Sequence, residues 1–338
     1  MFTDLVQQSL SGEITPELAL EILQASVLPE RALKLFEAAS RIRDEQLGQE
    51  LWWSAGISGI FPCRVTPRCG YCTYHTDSFF STEDIIRGIK EIEGLGLQQL
   101  HLSGGTNLQG YDQEILDLVR KIRAVSAIAL EVNLGPSLTR ETVRQLKGLG
   151  VNSITSSLEV SNQELFARRK PGDSLEGRKN LLEFCESEGM PTRGMMLVGL
   201  GESDEDRINQ LFYLKKFKRL YHLRFSRFYP FPGTECRDLP RCSPWELART
   251  VAVARLILPE VQLGLAAGNE SDDIPLWYLA GGGNQLLGVT ASRKIPRTQP
   301  GQQVKQISEQ LFIVDKRPLL EHYVQGMGRK VVLECPNY

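Results

Sequence analysis

The sequence predicts an α/β fold: a (β/α)8 barrel of the TIM type with an N-terminal helical cap and a short C-terminal extension. Three observations lead there. From residue 55, eight short β-branched or apolar runs alternate with charged segments of helical period, the pattern of a parallel sheet that closes into a barrel. A length of 338 residues suits one such barrel as a single unit. Cys63, Cys69 and Cys72 crowd a loop directly after the first run, and barrels carry their chemistry at the C-terminal ends of strands.

Residues 3–50 read as helices. Leu5, Leu10, Leu18, Leu20, Ile22 and Leu23 recur at helical spacing, and Leu33–Ala39 begins another amphipathic turn. Thr15-Pro16-Glu17 has the form of an N-cap followed by a proline in the first turn. The expected strands are Ile57–Phe61, Gln99–Ser103, Ala127–Asn133, Ser153–Glu159, Arg193–Val198, Leu223–Phe228, Gln262–Ala266 and Leu286–Val289. Helical patterns separate them at Thr82–Glu93, Tyr111–Arg123, Thr139–Leu149, Ser174–Glu188, Asp204–Phe217 and Pro244–Leu256. Ala291–Gln303, rich in Arg, Pro, Thr and Gln, reads as a loop, Ile307–Tyr323 as a closing helix and Lys330–Glu334 as a short strand. The resulting division is 1–50, a helical cap; 51–290, the barrel; and 291–338, an extension packed on it.

Composition narrows the classes. The chain is 41% hydrophobic and 24% charged with a net charge of −2, a balance that argues against nucleic acid or an anionic membrane as the main partner. No apolar run reaches the roughly 20 residues that span a bilayer. Met1–Ser9 has neither a basic start nor a hydrophobic centre, so nothing marks it for export. Seven cysteines then imply reduced thiols or metal ligands in a reducing compartment, and the expected location is the cytoplasm.

The cysteines lie in Gly59-Ile60-Phe61-Pro62-Cys63-Arg64-Val65-Thr66-Pro67-Arg68-Cys69-Gly70-Tyr71-Cys72-Thr73-Tyr74-His75. Iron–sulfur cubanes normally take four thiolates, one per iron. Three thiols with no fourth nearby point to a cluster with one open iron, available to a small molecule. The alternative is a structural zinc site in which His75 supplies the fourth donor. A disulfide loop is disfavoured by the odd cysteine count and by a chain too long to need stapling.

Other motifs fall at strand ends. Ser103, Gly104, Gly105 and Thr106 end the second strand, where glycines let backbone approach a ligand, although alone such a turn reads as a bend. Glu159 ends the fourth strand and faces two readings, a carboxylate for ribose hydroxyls or a solvated surface group. Arg178 suits a carboxylate, against the plain alternative of a surface arginine. Val198 and Gly199 open a Gly-Leu-Gly-Glu turn that lacks the third glycine of a dinucleotide fingerprint. Arg224 and Ser226 share one parity of the sixth strand, Phe225 and Arg227 the other, and sequence leaves the inward pair open. Cys236 and Cys242 read as free thiols rather than a metal pair, Cys185 as a core thiol and Cys335 as a tail residue.

Together these pieces resemble the radical S-adenosylmethionine (SAM) subgroup containing biotin synthase, HydE and the methylornithine synthase PylB. The likeness runs over roughly residues 30–290, and Leu35–Ala39, Thr250–Pro259 and Leu265–Glu270 also carry it. It implies a 4Fe-4S cluster on Cys63, Cys69 and Cys72, with Tyr71 as the aromatic before the last cysteine and SAM on the fourth iron. By the same resemblance, the backbone of Ser103–Thr106 binds SAM's ammonium, with Thr106 in place of the usual Glu. Glu159 corresponds to the ribose position, Arg178 to the carboxylate position, and Val198 and Gly199 to the turn against adenine. The family's partners are a small-molecule substrate and a one-electron donor such as ferredoxin or flavodoxin. Biotin synthase itself is disfavoured, because Glu131, Arg193 and Gly264 stand where ligands of its second cluster are needed. The family usually places three residues between the first two cysteines; this chain has five, which resembles the HmdB (HcgA) group of Fe-hydrogenase cofactor biosynthesis. The alternative within the subgroup is a HydE- or PylB-like catalyst acting on another substrate.

Overall fold

The computed structural model describes residues 2–74, 79–266, 268–296 and 299–333. Helices α1 (Phe2–Ser11), α2 (Pro16–Ala25) and α3 (Pro29–Leu47) precede β1 (Leu51–Ser58). Strands and helices then alternate: α4 (Thr82–Gly94), β2 (Gln99–Ser103), α5 (Asp112–Arg123), β3 (Ala129–Asn133), α6 (Arg140–Gly148) and β4 (Val151–Glu159). Two helices, α7 (Gln163–Arg169) and α8 (Leu175–Glu188), lead to β5 (Thr192–Val198), α9 (Asp204–Lys215) and β6 (Leu220–Arg227). After α10 (Pro244–Ile257), β7 (Gln262–Leu265) and α11 (Ile274–Leu279) come β8 (Gln285–Ser292), β9 (Gln303–Ser308), β10 (Leu311–Asp315), α12 (Arg317–Gly326) and β11 (Val331–Val332). The chain divides into two compact units: Met1–Gln49, Ser157–Arg169 and Arg193–Asn284 form the first, and Glu50–Ser156, Lys170–Thr192 and Gln285–Tyr338 the second.

In the second unit the strand order is β4-β3-β2-β1-β8-β10-β9. The pairs from β4 through β1 to β8 are parallel, β10 runs antiparallel to both its neighbours, and β11 pairs parallel with β1. Register sorts the side chains by chemistry. Ile57, Leu102 and Val132 are aligned and buried on one face, where a methyl at Gly88 of α4 would meet Ile57 Cδ1 at 3.2 Å. Gly56, His101 and Glu131 are aligned with one another on the opposite face. One side of this sheet therefore buries hydrocarbon against helices, and the other carries polar groups.

In the first unit, β6 and β7 pair in parallel. Thr15 caps α2, its side chain accepting from the Leu18 amide, with Pro16 in the first turn. Helix α3 packs on α10 and α11: Phe36 meets the Trp245 ring edge-on at 5.3 Å, and the Arg43 guanidinium lies 3.4 Å over the Tyr278 ring. Buried Arg255 of α10 donates to the carbonyls of Gly281, Leu258, Pro259 and Val261, holding the entry to β7.

Two expectations need correction. The first strand is Leu51–Ser58 rather than Ile57–Phe61, because Gly59 turns the chain at φ +96° and its amide donates to Ser103 O. No helix runs from Ile307 to Tyr323. Leu311–Asp315 is a wholly buried strand paired with β8, and Pro318 sits in the first turn of α12, the position where a missing N–H costs nothing. Cys335 and His75 lie outside the described residues.

Candidate active site at the cysteine loop

Backbone hydrogen bonds tie the loop after β1 to the turn after β2. The Gly59 and Ile60 amides donate to Ser103 O at 2.7 and 3.1 Å, the Gly105 amide to Phe61 O at 2.9 Å and the Arg64 amide to Thr106 O at 2.7 Å. Tyr111 adds a hydroxyl hydrogen bond to Pro62 O at 2.6 Å, with its ring 5.0 Å from that of Phe61. The contact is so close that side chains are excluded: a methyl on Gly105 would lie 2.2 Å from Cys63 Cα, and one on Gly104 2.7 Å from Leu134 Cδ2. Ser103, Gly105 and Thr106 are thus hydrogen-bonded to the residues that flank the first cysteine. Gly105 answers to crowding by the loop itself, and Gly104 to Leu134 first and then to the loop.

Cys63, Cys69 and Cys72 are half-buried, and Tyr71 beside them is half-buried. The Cys72 amide donates to Cys69 O at 3.2 Å, and the Tyr74 amide points at Cys72 Sγ at 3.3 Å, a donor that stabilises a thiolate. Burial, reinforced by the Cys63 and Cys72 sulfurs, pushes the Tyr74 hydroxyl well above its ordinary range, so it remains a neutral phenol beside them. Three soft thiolates, an N–H donor to sulfur and a side-chain-free glycine wall fit an iron–sulfur cluster. Among the described residues no three His, Cys, Asp or Glu side chains converge on one ion, and a cubane does not need that, since each thiolate binds its own iron.

Arg178 projects from the first turn of α8, where Ser174 accepts from the Gly177 amide as N-cap. Its guanidinium grips Asp173, Nε at 3.1 Å and Nη2 at 2.6 Å, and Lys170 Nζ reaches the same carboxylate at 3.2 Å. Burial alone would raise the Asp173 pKa, yet the Arg178 and Lys170 charges outweigh it and hold the carboxyl well below its usual range. A methyl on Gly135 would lie 2.4 Å from Thr106 Oγ1 and 3.2 Å from Arg178 Nη2. Thr106 and Arg178, far apart in sequence, therefore converge on one glycine.

The other predicted positions lie in the first unit. Glu159 ends β4 with φ +64°, the one non-glycine residue with positive φ among those described, and its carbonyl accepts from Gln210 Nε2 at 3.5 Å. A non-glycine residue held in that region stores strain, a frequent mark of a functional position. Val198 is fully buried, and Gly199 turns the chain at φ +94°. Sequence reading missed what braces this turn. Glu202 takes the Gly199 amide on Oε1 at 2.7 Å and the Leu200 amide on Oε2 at 2.8 Å, while Arg207 Nε holds Oε1 at 2.8 Å. A methyl on Gly199 would meet Cys242 Cβ at 2.5 Å. Cys236 and Cys242 are both buried, and burial, with Glu246 nearby, pushes the Cys242 thiol up to about 12. Arg224 and Ser226 share the face of Gly264, whose methyl would lie 3.4 Å from Arg224 Cγ, while Leu223 faces helix α9 beside Leu214. Tertiary structure thus decides the parity that sequence left open.

A polar cluster on the face opposite the helices was also unforeseen. Buried Glu131 Oε1 lies 2.8 Å from His101 Nδ1 and accepts from Thr155 Oγ1 at 2.5 Å. A sheet face of this kind ordinarily carries branched hydrocarbon, so a buried carboxylate beside a half-buried imidazole is a departure from ordinary core packing.

The radical SAM superfamily model matches residues 66–213, and that of the Biotin and Thiamin Synthesis associated domain matches residues 225–311. An uncharacterised protein of Methanocaldococcus jannaschii is 30% identical over 278 residues, covering 79% of this chain and 72% of its own. The chain belongs to the radical SAM superfamily. Biotin synthase of Carboxydothermus hydrogenoformans is 26% identical over 292 residues, 82% of this chain and 88% of that one. The crystal structure of methylornithine synthase (PylB) aligns with a TM-score of 0.77 at 20% identity over 97% of each chain. The FeFe-hydrogenase maturase HydG of C. hydrogenoformans aligns with a TM-score of 0.73 at 19% identity, over 86% of this chain and 70% of that one. The predicted α/β fold with its parallel sheet is therefore borne out, and the barrel type agrees with these neighbours. Radical SAM enzymes bind a 4Fe-4S cluster and SAM, as the cysteine loop led us to expect. Among the described residues no helix is long and apolar enough to cross a membrane.

Proposed function

We propose that this radical SAM enzyme is HmdB-like, serving biosynthesis of the iron-guanylylpyridinol cofactor of Fe-hydrogenase. The observation that carries the reading is the five-residue spacing between Cys63 and Cys69. In this reading Cys63, Cys69 and Cys72 hold the cluster. When bound, the cluster and SAM supply a 5′-deoxyadenosyl radical by one-electron cleavage of SAM, which also yields methionine. The electron comes from a donor such as ferredoxin or flavodoxin.

The protein's own groups bind and orient. The backbone of Ser103–Thr106 meets SAM's ammonium, and Arg178, aimed by Asp173, takes its carboxylate. By family resemblance, Glu159 is assigned to the ribose hydroxyls and the turn at Val198 and Gly199, whose amides Glu202 fixes, to the adenine. His101, Glu131 and Thr155 offer hydrogen bonds to a small polar substrate and suit one with hydroxyl or amino groups better than a hydrocarbon. Closing such a site against water protects the radical.

Anaerobic reconstitution followed by EPR of the reduced protein, with and without SAM, tests the cofactor assignment. The expected signal is that of a 4Fe-4S cluster perturbed by SAM. Deleting the gene in an organism that makes Fe-hydrogenase tests the pathway: guanylylpyridinol should disappear. If it persists while the purified protein cleaves SAM, the HydE- or PylB-like reading replaces this one.

A further inference from the structure

The spacer between the first two cysteines, Arg64-Val65-Thr66-Pro67-Arg68, touches its surroundings at Arg64 and at Thr66-Pro67. Arg64 is tied through its amide to Thr106 O at 2.7 Å, and Val65 is 4% exposed. The backbone of Thr66 and Pro67 rests against Gly172. A methyl there would lie 2.3 Å from Pro67 O, 2.4 Å from the Thr66 carbonyl carbon and 2.6 Å from Thr66 O. Gly172 is not among the glycines with positive φ, so close approach, not backbone freedom, demands glycine at this position. The next residue is Asp173, which grips Arg178 at 2.6 Å. Arg178 and Thr106 both border Gly135, and Thr106 returns to Arg64. The contacts close a circuit that runs from the spacer through Gly172, Asp173 and Arg178 back to the spacer.

We infer that the long spacer is a positioning device: by seating on Gly172 it places the Asp173–Arg178 pair, so that cluster loop and carboxylate-binding arginine are set together. This rests on the reading that the three cysteines hold the cluster and Arg178 the SAM carboxylate. A spacer of three residues would lose two of the residues that make this contact, and Gly172 would then have no close neighbour to accommodate. Gly172 and the spacer length are, in this view, two halves of one device.

The test is a double-mutant cycle on the full-length reconstituted protein, combining Gly172→Ala with deletion of Thr66 and Pro67. Iron and sulfide per chain report the cluster, and titration of the reduced EPR signal with SAM reports SAM affinity. Gly172→Ala should retain the cluster, weaken SAM binding at least tenfold and diminish the SAM-induced change in the EPR signal. In the shortened chain the same substitution should change SAM affinity less than twofold. If Gly172→Ala prevents cluster assembly, restoration on shortening supports the coupling and failure to restore overturns it. Equal effects in both backgrounds, or no effect in the natural one, also overturn it. Should the shortened chain fail to fold, Thr66→Gly with Pro67→Gly replaces the deletion: it keeps the backbone atoms that crowd Gly172 but frees them to move, so Gly172→Ala should cost less SAM affinity there than in the natural chain, and an equal cost overturns the coupling. A wild-type protein that holds no iron and sulfide would sink the cysteine assignment instead, so the two failures are distinguishable.

Discussion

Gly105 shows how narrowly single residues constrain this site. Its missing side chain is filled by the Cys63 backbone, 2.2 Å from where a methyl would stand. Gly105→Ala should lower stability by about 1–3 kcal/mol through overpacking and displace Cys63. Urea melts of the apo-protein and iron content after reconstitution measure the two effects. Cys69→Ala should abolish SAM cleavage and the SAM-sensitive EPR signal; full cleavage by that variant would refute the assignment. Asp173 gives a pH prediction. Its folded pKa is depressed by Arg178 and Lys170, so its stabilisation is present above the ordinary carboxylate pKa of about 4 and is lost as pH falls below it. Denaturation midpoints measured from neutral to acidic pH should fall more steeply for wild type than for Asp173→Asn. An equal slope would show that the buried pair is not what acid disrupts.

At the scale of elements, the turn after β5 depends on a carboxylate that sequence alone reads as a motif letter. Glu202 accepts two backbone amides and an arginine, charge-assisted bonds worth roughly 1.5–3 kcal/mol each. Glu202→Ala should loosen the turn and weaken SAM affinity several-fold at unchanged iron content, read by EPR titration. Thiols divide by element in the same manner. Cys185 on α8 and Cys242 beside Gly199 are buried and held near 12, so alkylation of the native apo-protein followed by peptide mapping should label Cys63, Cys69 and Cys72 before Cys185 and Cys242. The element boundaries also show where sequence succeeds. Gln99–Ser103 is a strand with the predicted ends, because a short apolar run stops at two glycines. The region after Ala291 was misread because Leu311–Asp315 becomes a strand only by pairing with β8, a partner that no local period announces.

For the whole molecule, ligand linkage supplies the last prediction. If SAM binds the folded, cluster-loaded protein, SAM at a hundredfold over its Kd should stabilise it by about 2.7 kcal/mol, seen as a rise in Tm, with no rise in Cys69→Ala protein. The strand–helix alternation, the cysteine loop and the Gly-Gly turn were all legible because each is local: a period, a spacing, a pair of residues lacking side chains. The polar layer of His101, Glu131 and Thr155 was not, since three strands contribute one residue each and only register aligns them. The same holds for Arg178. Sequence could place an arginine after a helix cap, but Asp173, Lys170 and Gly135 gather around it only in the folded chain.

By itself the sequence determined the fold class and the kind of cofactor it suits, because motif spacing and hydrophobic period are properties of the chain. Only the tertiary structure decided which face of each strand is polar, what braces the Gly199 turn, and how the cysteine spacer meets Gly172. Those are contacts between distant segments, and their energies exist only once the segments touch.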